Sequence, residues 1–405
     1  MANSNLTNAK KAKNDEFYTQ FGDIQKEIEA YLEYNPDVFR DKVVYCNCDD
    51  PFESNFFRYF VLNFKKLGLK QLITTSYKPS PVANTQLGLF GDDKTLTKSK
   101  GRPKINANKF IINEVGDING DGEFNLKDVA EQLKANKHNE WAPLDGEGDF
   151  QSLECIELLK QSDIVVTNPP FSLFREYVKQ LFEYGKNFVI IGSMNAITYK
   201  EVFPKIKENK LWLGPSISSG DREFRVPDSY PITAVGWRVD DEGRKFLRIK
   251  GVRWFTNLDH GRRHQPLPLM TMEDNLKYSK HKEFKGKASY DKYDNYDAIE
   301  VPFTNAIPSN YTGVMGVPIS FLDKYNPDQF EIIGYEKSYN LRTKVYPKQL
   351  QIDKNGKRSN VTKLNDGAAI KVLIQPNDTT YYMVDNEYFV QLYSRIFIRH
   401  KKVEK

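Results

Sequence analysis

The sequence predicts an α/β fold: a doubly wound domain in which helices cover a largely parallel sheet, followed by a more β-rich region. Three observations point to it. Lys42–Cys46, Leu72–Thr75, Ile164–Thr167 and Asn187–Gly192 are short apolar runs of the kind that form strands buried on both faces. Helical patterns fall between them, so strand and helix alternate from Lys42 to Gly192. After about Leu211 short aromatic and β-branched runs alternate with turns.

Taken in order, residues 1–13 are polar and expected to fray. Residues 23–40 carry Ile24, Ile28, Tyr31 and Leu32 at three- and four-residue spacing, a helix that Pro36 should end early. Ser54 to Leu67 repeats the pattern with Phe57, Phe60, Val61 and Phe64 on one side. Residues 78–108 hold Pro79, Pro81, Gly88, Gly91 and Gly101 among Lys, Thr and Ser, which reads as an inserted loop. Within it, Lys100-Gly101-Arg102-Pro103-Lys104 has the form of a minor-groove hook or a plain basic loop. Phe110–Ile112 resumes strand-like sequence, Phe150–Leu159 and Leu173–Tyr184 read as helices, and Trp237–Val239 and Val252–Phe255 read as strands. Tyr381–Val384 and Arg395–Ile398 are further strand candidates ahead of a basic C-terminal tail.

The 405 residues are too many for one ordinary core, and 39% hydrophobic residues suffice to bury several. No run approaches the roughly 20 apolar residues of a membrane span. Met1–Asn5 has no apolar stretch of the kind that opens a secretory signal, and three cysteines are too few for a disulfide scaffold. A cytoplasmic, monomeric protein without membrane contact is expected. Net charge is +5, but Glu242–Lys287 holds 12 Lys/Arg against 5 Asp/Glu, so this segment carries +7 and the rest −2. A basic segment beside a neutral body suits a polyanion partner, or is a solvated lysine-rich surface.

The chemistry concentrates at Asn168-Pro169-Pro170-Phe171, which closes the Ile164–Thr167 strand and so falls at the sheet edge where α/β proteins bind ligands. An exocyclic amino group on an aromatic base is a poor nucleophile, because its lone pair is delocalised into the ring. Two acceptors holding its hydrogens favour pyramidalisation, and the Asn168 amide oxygen and the Pro169 carbonyl can supply them. The two prolines stiffen that backbone, and Phe171 can stack on an extruded base.

Elsewhere, Asp117 to Asp128 places acidic or amide groups (Asp117, Asn119, Asp121, Asn125, Asp128) at the spacing of an EF-hand loop, with Gly122 at the sixth position and Asp in place of the final Glu. This allows a calcium site resembling dockerin-like loops, or a simple Asp/Asn/Gly turn. Cys46 and Cys48 lack the second pair that a zinc site needs. His260 and His264 lack a third ligand, and no Gly-Lys-Ser/Thr phosphate loop occurs.

The four-residue signature resembles the catalytic motif of amino-methyltransferases. More specifically, the chain resembles the EcoRI-type adenine-specific DNA methyltransferase family, of the gamma motif order. The resemblance is carried by Asn14–Gln20, Val43–Pro51, Ser54–Phe57, Gly146–Phe150, Ser162–Tyr177 and Gly313–Pro318, and spans most of residues 10–335. It implies a Rossmann-like S-adenosylmethionine-dependent domain over 10–210, with 78–145 as an insertion. A β-rich target-recognition region over 211–335 and a C-terminal extension over 336–405 would follow. The implied activity is transfer of a methyl group from S-adenosylmethionine to N6 of a flipped-out adenine in double-stranded DNA, by a restriction-linked, orphan or phage enzyme. Asn168, Pro169, Pro170 and Phe171 would be catalytic. Phe17, Tyr18, Thr19, Asn47, Cys48, Asp49, Asp149 and Phe150 would bind the cofactor, and Arg253, Arg262, Arg263 and Lys277 are the candidate DNA contacts. The loop from Cys46 to Ser54 has no glycine, so either Asn47 and Asp49 reach the cofactor by side chain or the contacts lie a few residues away. Related motifs also serve RNA bases and protein glutamine, and a non-catalytic DNA-binding module is the remaining alternative.

Overall fold

A computed structural model describes residues 18–48, 54–77, 107–118, 120–122, 124–135, 138–218, 221–226, 236–392 and 394–401. The chain forms two compact units that divide between Gly261 and Arg262. The basic hook at 100–104 lies outside the described residues, as do Phe17, Asp49 and Asn119.

The first unit opens with α1 (Phe21–Tyr34), which buries Ile24, Ile28 and Tyr31 and stops before Pro36. Next come β1 (Val43–Cys46), α2 (Asn55–Leu62) and α3 (Phe64–Leu67). Ser54 caps α2 by accepting from the Phe56 and Phe57 amides at 3.1 and 3.3 Å. Gly68, in the left-handed region at φ 63°, ends α3. The sequence predicted one helix here; Asn63, whose side chain bonds back to the Tyr59 carbonyl, divides it. The chain continues through β2 (Gln71–Thr75), β3 (Asn108–Ile112), α4 (Leu126–Ala135), β4 (Glu140–Pro143), α5 (Leu153–Gln161) and β5 (Ile164–Thr167). It then forms α6 (Phe174–Glu183), β6 (Asn187–Ser193), α7 (Phe203–Lys207), β7 (Trp212–Leu213), β8 (Asp221–Val226), β9 (Trp237–Val239), β10 (Lys245–Lys250) and β11 (Val252–Thr256).

Eight strands make one mixed sheet in the order β4-β3-β2-β1-β5-β6-β11-β7. The centre, β2-β1-β5-β6, is parallel. β3 joins it antiparallel to β2, and β11 antiparallel to β6. β1 is therefore the strand from which the sheet grows both ways, and the β1/β5 boundary is the switch point at which such sheets open a crevice. Strand residues alternate between faces. Val44, Cys46, Ile164, Val166, Val189 and Ile191 share a core with Ile28, Tyr31, Phe57 and Phe60 of α1 and α2. The intervening Tyr45, Val165, Phe188 and Ile190 are buried as well, so the central strands are covered on both sides. Each fully buried large apolar side chain contributes roughly 1.5–3 kcal/mol. β8, β10 and β9 form a separate antiparallel sheet. The sequence read Val252–Phe255 as part of a later region; every residue of β11 is buried, and the strand completes the first unit's main sheet.

The second unit holds α8 (Met272–Tyr278), β12 (Ile299–Glu300), β13 (Met315–Pro318), β14 (Phe330–Tyr335), β15 (Gln349–Ile352), β16 (Arg358–Val361), β17 (Ala369–Val372), β18 (Tyr381–Val384), β19 (Glu387–Gln391) and β20 (Arg395–His400). A four-stranded sheet runs β12-β13-β20-β14 and a five-stranded sheet β16-β15-β18-β19-β17. The Gly313–Pro318 stretch supplies β13. There a Cβ on Gly316 would stand 2.2 Å from the Tyr293 hydroxyl, so the glycine makes room for that ring. Tyr293 donates to Glu300, which also holds Arg395 through bonds of 2.7 and 3.0 Å.

The calcium reading of Asp117–Asp128 is not supported among the described residues, and the turn reading fits them. Asp117 accepts from the Gly120 and Gly122 amides at 2.7 and 2.8 Å, and buried Asp128 from the Ile118 and Asn125 amides at 3.0 and 2.8 Å. These carboxylates shape a turn and the start of α4. Among the described residues no group of three or more His, Cys, Asp or Glu can hold a metal ion. Nor is any helix among them long and apolar enough to cross a membrane.

Candidate active site

Three parallel strands deliver the candidate residues to one edge of the sheet. β1 ends at Cys46 and passes into Asn47 and Cys48; β2 ends at Thr75; β5 ends at Thr167 and passes into Asn168. The register pairs Val44 with Ile164 and Tyr45 with Val165, so Asn47 and Asn168 leave neighbouring strands at the switch point. Neither Pro169 nor Pro170 can donate to the ladder, which stops β5 there. The chain then turns through a short 3-10 segment, Phe171–Leu173, closed by the Leu173 amide on the Pro170 carbonyl at 2.9 Å. Asn168 and Pro169 are buried, whereas Pro170 and Phe171 are half-buried.

Asn47 is tied down from two sides. Its carbonyl accepts from the Thr167 hydroxyl, and its side-chain Oδ1 accepts from the Tyr177 hydroxyl on α6. The Tyr177 ring meets Phe150 edge-on at 5.0 Å, and Gln180, one turn further along α6, donates to the Phe150 carbonyl at 3.1 Å. Burial holds Tyr177 between the two. Two sequence-separated candidates, Asn47 and Phe150, therefore meet one helix face, and the strand leading to Asn168 is joined to them through the Thr167 bond to Asn47. Tyr177 and Gln180 carried no role in the sequence reading, because their spacing with Phe174, Val178 and Leu181 reads as ordinary helix core.

The loop carrying Asp149 approaches closely. Gly148 has φ +75°, and a Cβ there would lie 1.9 Å from the Ser76 carbonyl oxygen. Only glycine lets this loop meet the end of β2. Asp149 then accepts from the Gln151 amide at 2.8 Å and begins the turn into α5. Tyr18 pairs with Arg225 of β8 through backbone bonds of 2.9 and 3.1 Å, and the Thr19 carbonyl accepts from Asn55 at 2.7 Å. Thr19 is 3% exposed, and its hydroxyl has no hydrogen-bond partner among the described residues. Cys48 is half-buried at φ +63°.

The candidate DNA contacts divide. Arg253 is 4% exposed, and its guanidinium donates to the Val252 and Ser218 carbonyls at 2.8 and 3.0 Å; Arg263 is 6% exposed. Little of either is open to a phosphate. Arg262 is half-buried and Lys277 exposed. His260 is buried with Nε2 3.1 Å from the Leu213 carbonyl, while His264 is exposed.

The Asn-Pro-Pro-Phe turn stands at the carboxyl end of a central strand, beside the switch point where α/β sheets bind ligands. Comparison with known proteins gives the family. A family model described as "Adenine-specific methyltransferase EcoRI" matches residues 5–401, and the chain belongs to this family. It is 45% identical over 339 residues to the type II methyltransferase M.EcoRI of Escherichia coli, covering 83% of this chain and 90% of that one. It is 37% identical over 346 residues to M.MpnI of Mycoplasma pneumoniae, covering 84% and 89%. With M.MgeORF184P of Mycoplasma genitalium the identity is 34% over 360 residues, covering 86% and 94%. No solved structure matches the chain.

Proposed function

We propose that this chain, an adenine-specific methyltransferase by family, uses its Asn168–Phe171 turn to methylate N6 of an adenine in double-stranded DNA, with S-adenosylmethionine as donor. The observation that carries the reading is the position of that turn, at the carboxyl end of β5 beside β1 in the mixed eight-stranded sheet.

The residues around the turn fit the cofactor. Thr19 offers a buried hydroxyl with no partner among the described residues, Asn47 keeps its amide donor while Tyr177 occupies its acceptor, and Gly148 lets Asp149 come close to β2. Thr19, Asn47, Asp149 and Phe150 would hold the cofactor, with Tyr18 and Cys48 flanking them. When bound, S-adenosylmethionine supplies a methyl group on a cationic sulfur that departs as a neutral thioether. The chain's own part is positional. The Asn168 amide oxygen and the Pro169 carbonyl accept the two N6 hydrogens and turn the nitrogen lone pair out of the ring plane. Pro170 limits the backbone, and half-buried Phe171 offers a ring to an adenine drawn out of the duplex. The second unit, with Arg262 and Lys277, provides contacts for target recognition and for DNA phosphate.

Tritiated methyl transfer measured on duplex DNA, RNA and protein in parallel tests the assignment. Label should appear in duplex DNA and be recovered as N6-methyladenine; label confined to RNA or protein refutes it. Asn168→Ala should lower transfer by about 10²–10³ while calorimetry still shows cofactor binding.

A further inference from the structure

A second concentration of unpaired charge among the described residues lies outside the segment that the composition singled out. Residues 342–363 hold seven Lys/Arg and one acidic residue, Asp353. In the structure this stretch is the β15–β16 hairpin and its flanks, with β16 the outer strand of the five-stranded sheet. Its turn is tightly built. Gly356 adopts φ +80°, the Asp353 amide donates to the Lys357 carbonyl at 3.0 Å, and the Asp353 carboxylate accepts from the Asn355 and Lys357 amides at 2.8 and 2.9 Å. The lone carboxylate is thus engaged by the turn's own backbone.

Two of the seven cations are engaged elsewhere: Arg342 donates to the Asn365 carbonyl, and Lys344 pairs with Asp294 at 2.7 Å. The other five, Lys348, Lys354, Lys357, Arg358 and Lys363, are exposed, and none has an ion pair among the described residues. The opposite edge of the sheet differs, since Lys371 of β17 is paired with Glu387. Like charges gathered on one rigid hairpin repel one another, and they relax when a polyanion supplies the counter-charge.

We propose that this hairpin binds the phosphate backbone of duplex DNA, adding affinity without reading bases. The proposal rests on DNA being the substrate. The competing account is an edge strand kept soluble by its lysines.

The test uses the full chain, a random-sequence DNA duplex and binding isotherms between about 50 and 200 mM salt. The variant K354Q/K357Q/R358Q removes three of the charges, and Lys371→Gln serves as control. Each lost phosphate contact flattens the log–log salt slope by about 0.9, so three reduce it by roughly 2.7. The parent's loss of affinity across that fourfold range should therefore shrink by about 40-fold in the triple variant. The control should follow the parent, and transfer at saturating DNA should be unchanged in both variants. An unaltered slope overturns the proposal, as does weakened binding of single-stranded RNA with duplex binding intact. If the parent methylates DNA and the slope does not move, only the hairpin assignment fails. If the parent methylates no DNA, the failure lies with the functional reading.

Discussion

Replacing Tyr177 by Phe removes one hydroxyl and leaves the ring that packs on Phe150. The lost atom donates to Asn47 Oδ1, a buried acceptor at the end of β1. A buried acceptor left without its donor costs about 1–3 kcal/mol. In a unit of this size each kcal/mol lowers Tm by roughly 2–4 °C, so the first transition should fall by about 2–12 °C. The larger consequence is local. Without the Tyr177 hydroxyl the Asn47 amide can rotate, and if the proposed Asn47 contact to the cofactor is worth about 1.4 kcal/mol, affinity falls tenfold. Calorimetric titration with S-adenosylmethionine should show that loss, while kcat at saturating cofactor stays near the parent value because the Asn168 turn is untouched. Combining Tyr177→Phe with Asn47→Ala should give less than the sum of the single effects, since both remove one bond. Additive losses, or parental cofactor affinity in Tyr177→Phe, would refute the view that α6 orients Asn47.

The remaining predictions concern backbone and charge. Gly148→Ala places a side chain against the Ser76 carbonyl at φ +75°; the left-handed backbone alone costs about 1–2 kcal/mol, and cofactor affinity should drop more than DNA affinity, as paired titrations would show. Glu300→Gln leaves Arg395 short of its charge partner in the interior, and a broken buried pair costs about 3–5 kcal/mol, read as a lowered transition of the second unit in scanning calorimetry. Burial raises the Glu336 carboxyl above its ordinary value, ahead of opposing bonds from Ser394 and the Arg395 amide. Its protonated form is favoured by folding, so its contribution is complete below the ordinary glutamate range and lost as pH rises through the raised value. Glu336→Gln should therefore raise Tm at pH 7 and not at pH 4; an equal shift at both would sink the titration argument.

Much of the central sheet could be read from residues alone, because a strand buried on both faces must be apolar throughout, as Val43–Cys46 and Ile164–Thr167 are. The place of the Asn168–Phe171 turn was legible for a related reason: two prolines after such a run end the strand at the sheet edge. Pairing was not legible. Apolarity records that a strand is buried and leaves its neighbour open, so the antiparallel addition of β3 and β11 appears only in three dimensions. Charge counting does not distinguish Arg253, because a guanidinium satisfied by two carbonyls has the same letter as one facing solvent. The calcium spacing finds no support for a similar reason: the Asp117 and Asp128 carboxylates accept from backbone amides of their own turn. Tyr177 was hidden by its helix, whose packing residues look alike until one of them is seen to bond Asn47.

The position of β20 bears on how the protein is made. This strand, close to the C-terminus, lies between β13 and β14, which precede it in the chain. On the ribosome the two earlier strands emerge with no partner between them, and their sheet cannot close until Arg395–His400 has been made. Until then their edges are open to other nascent chains. A chain stopped before Arg395 would leave the two strands separated by an empty lane and should aggregate in place of folding.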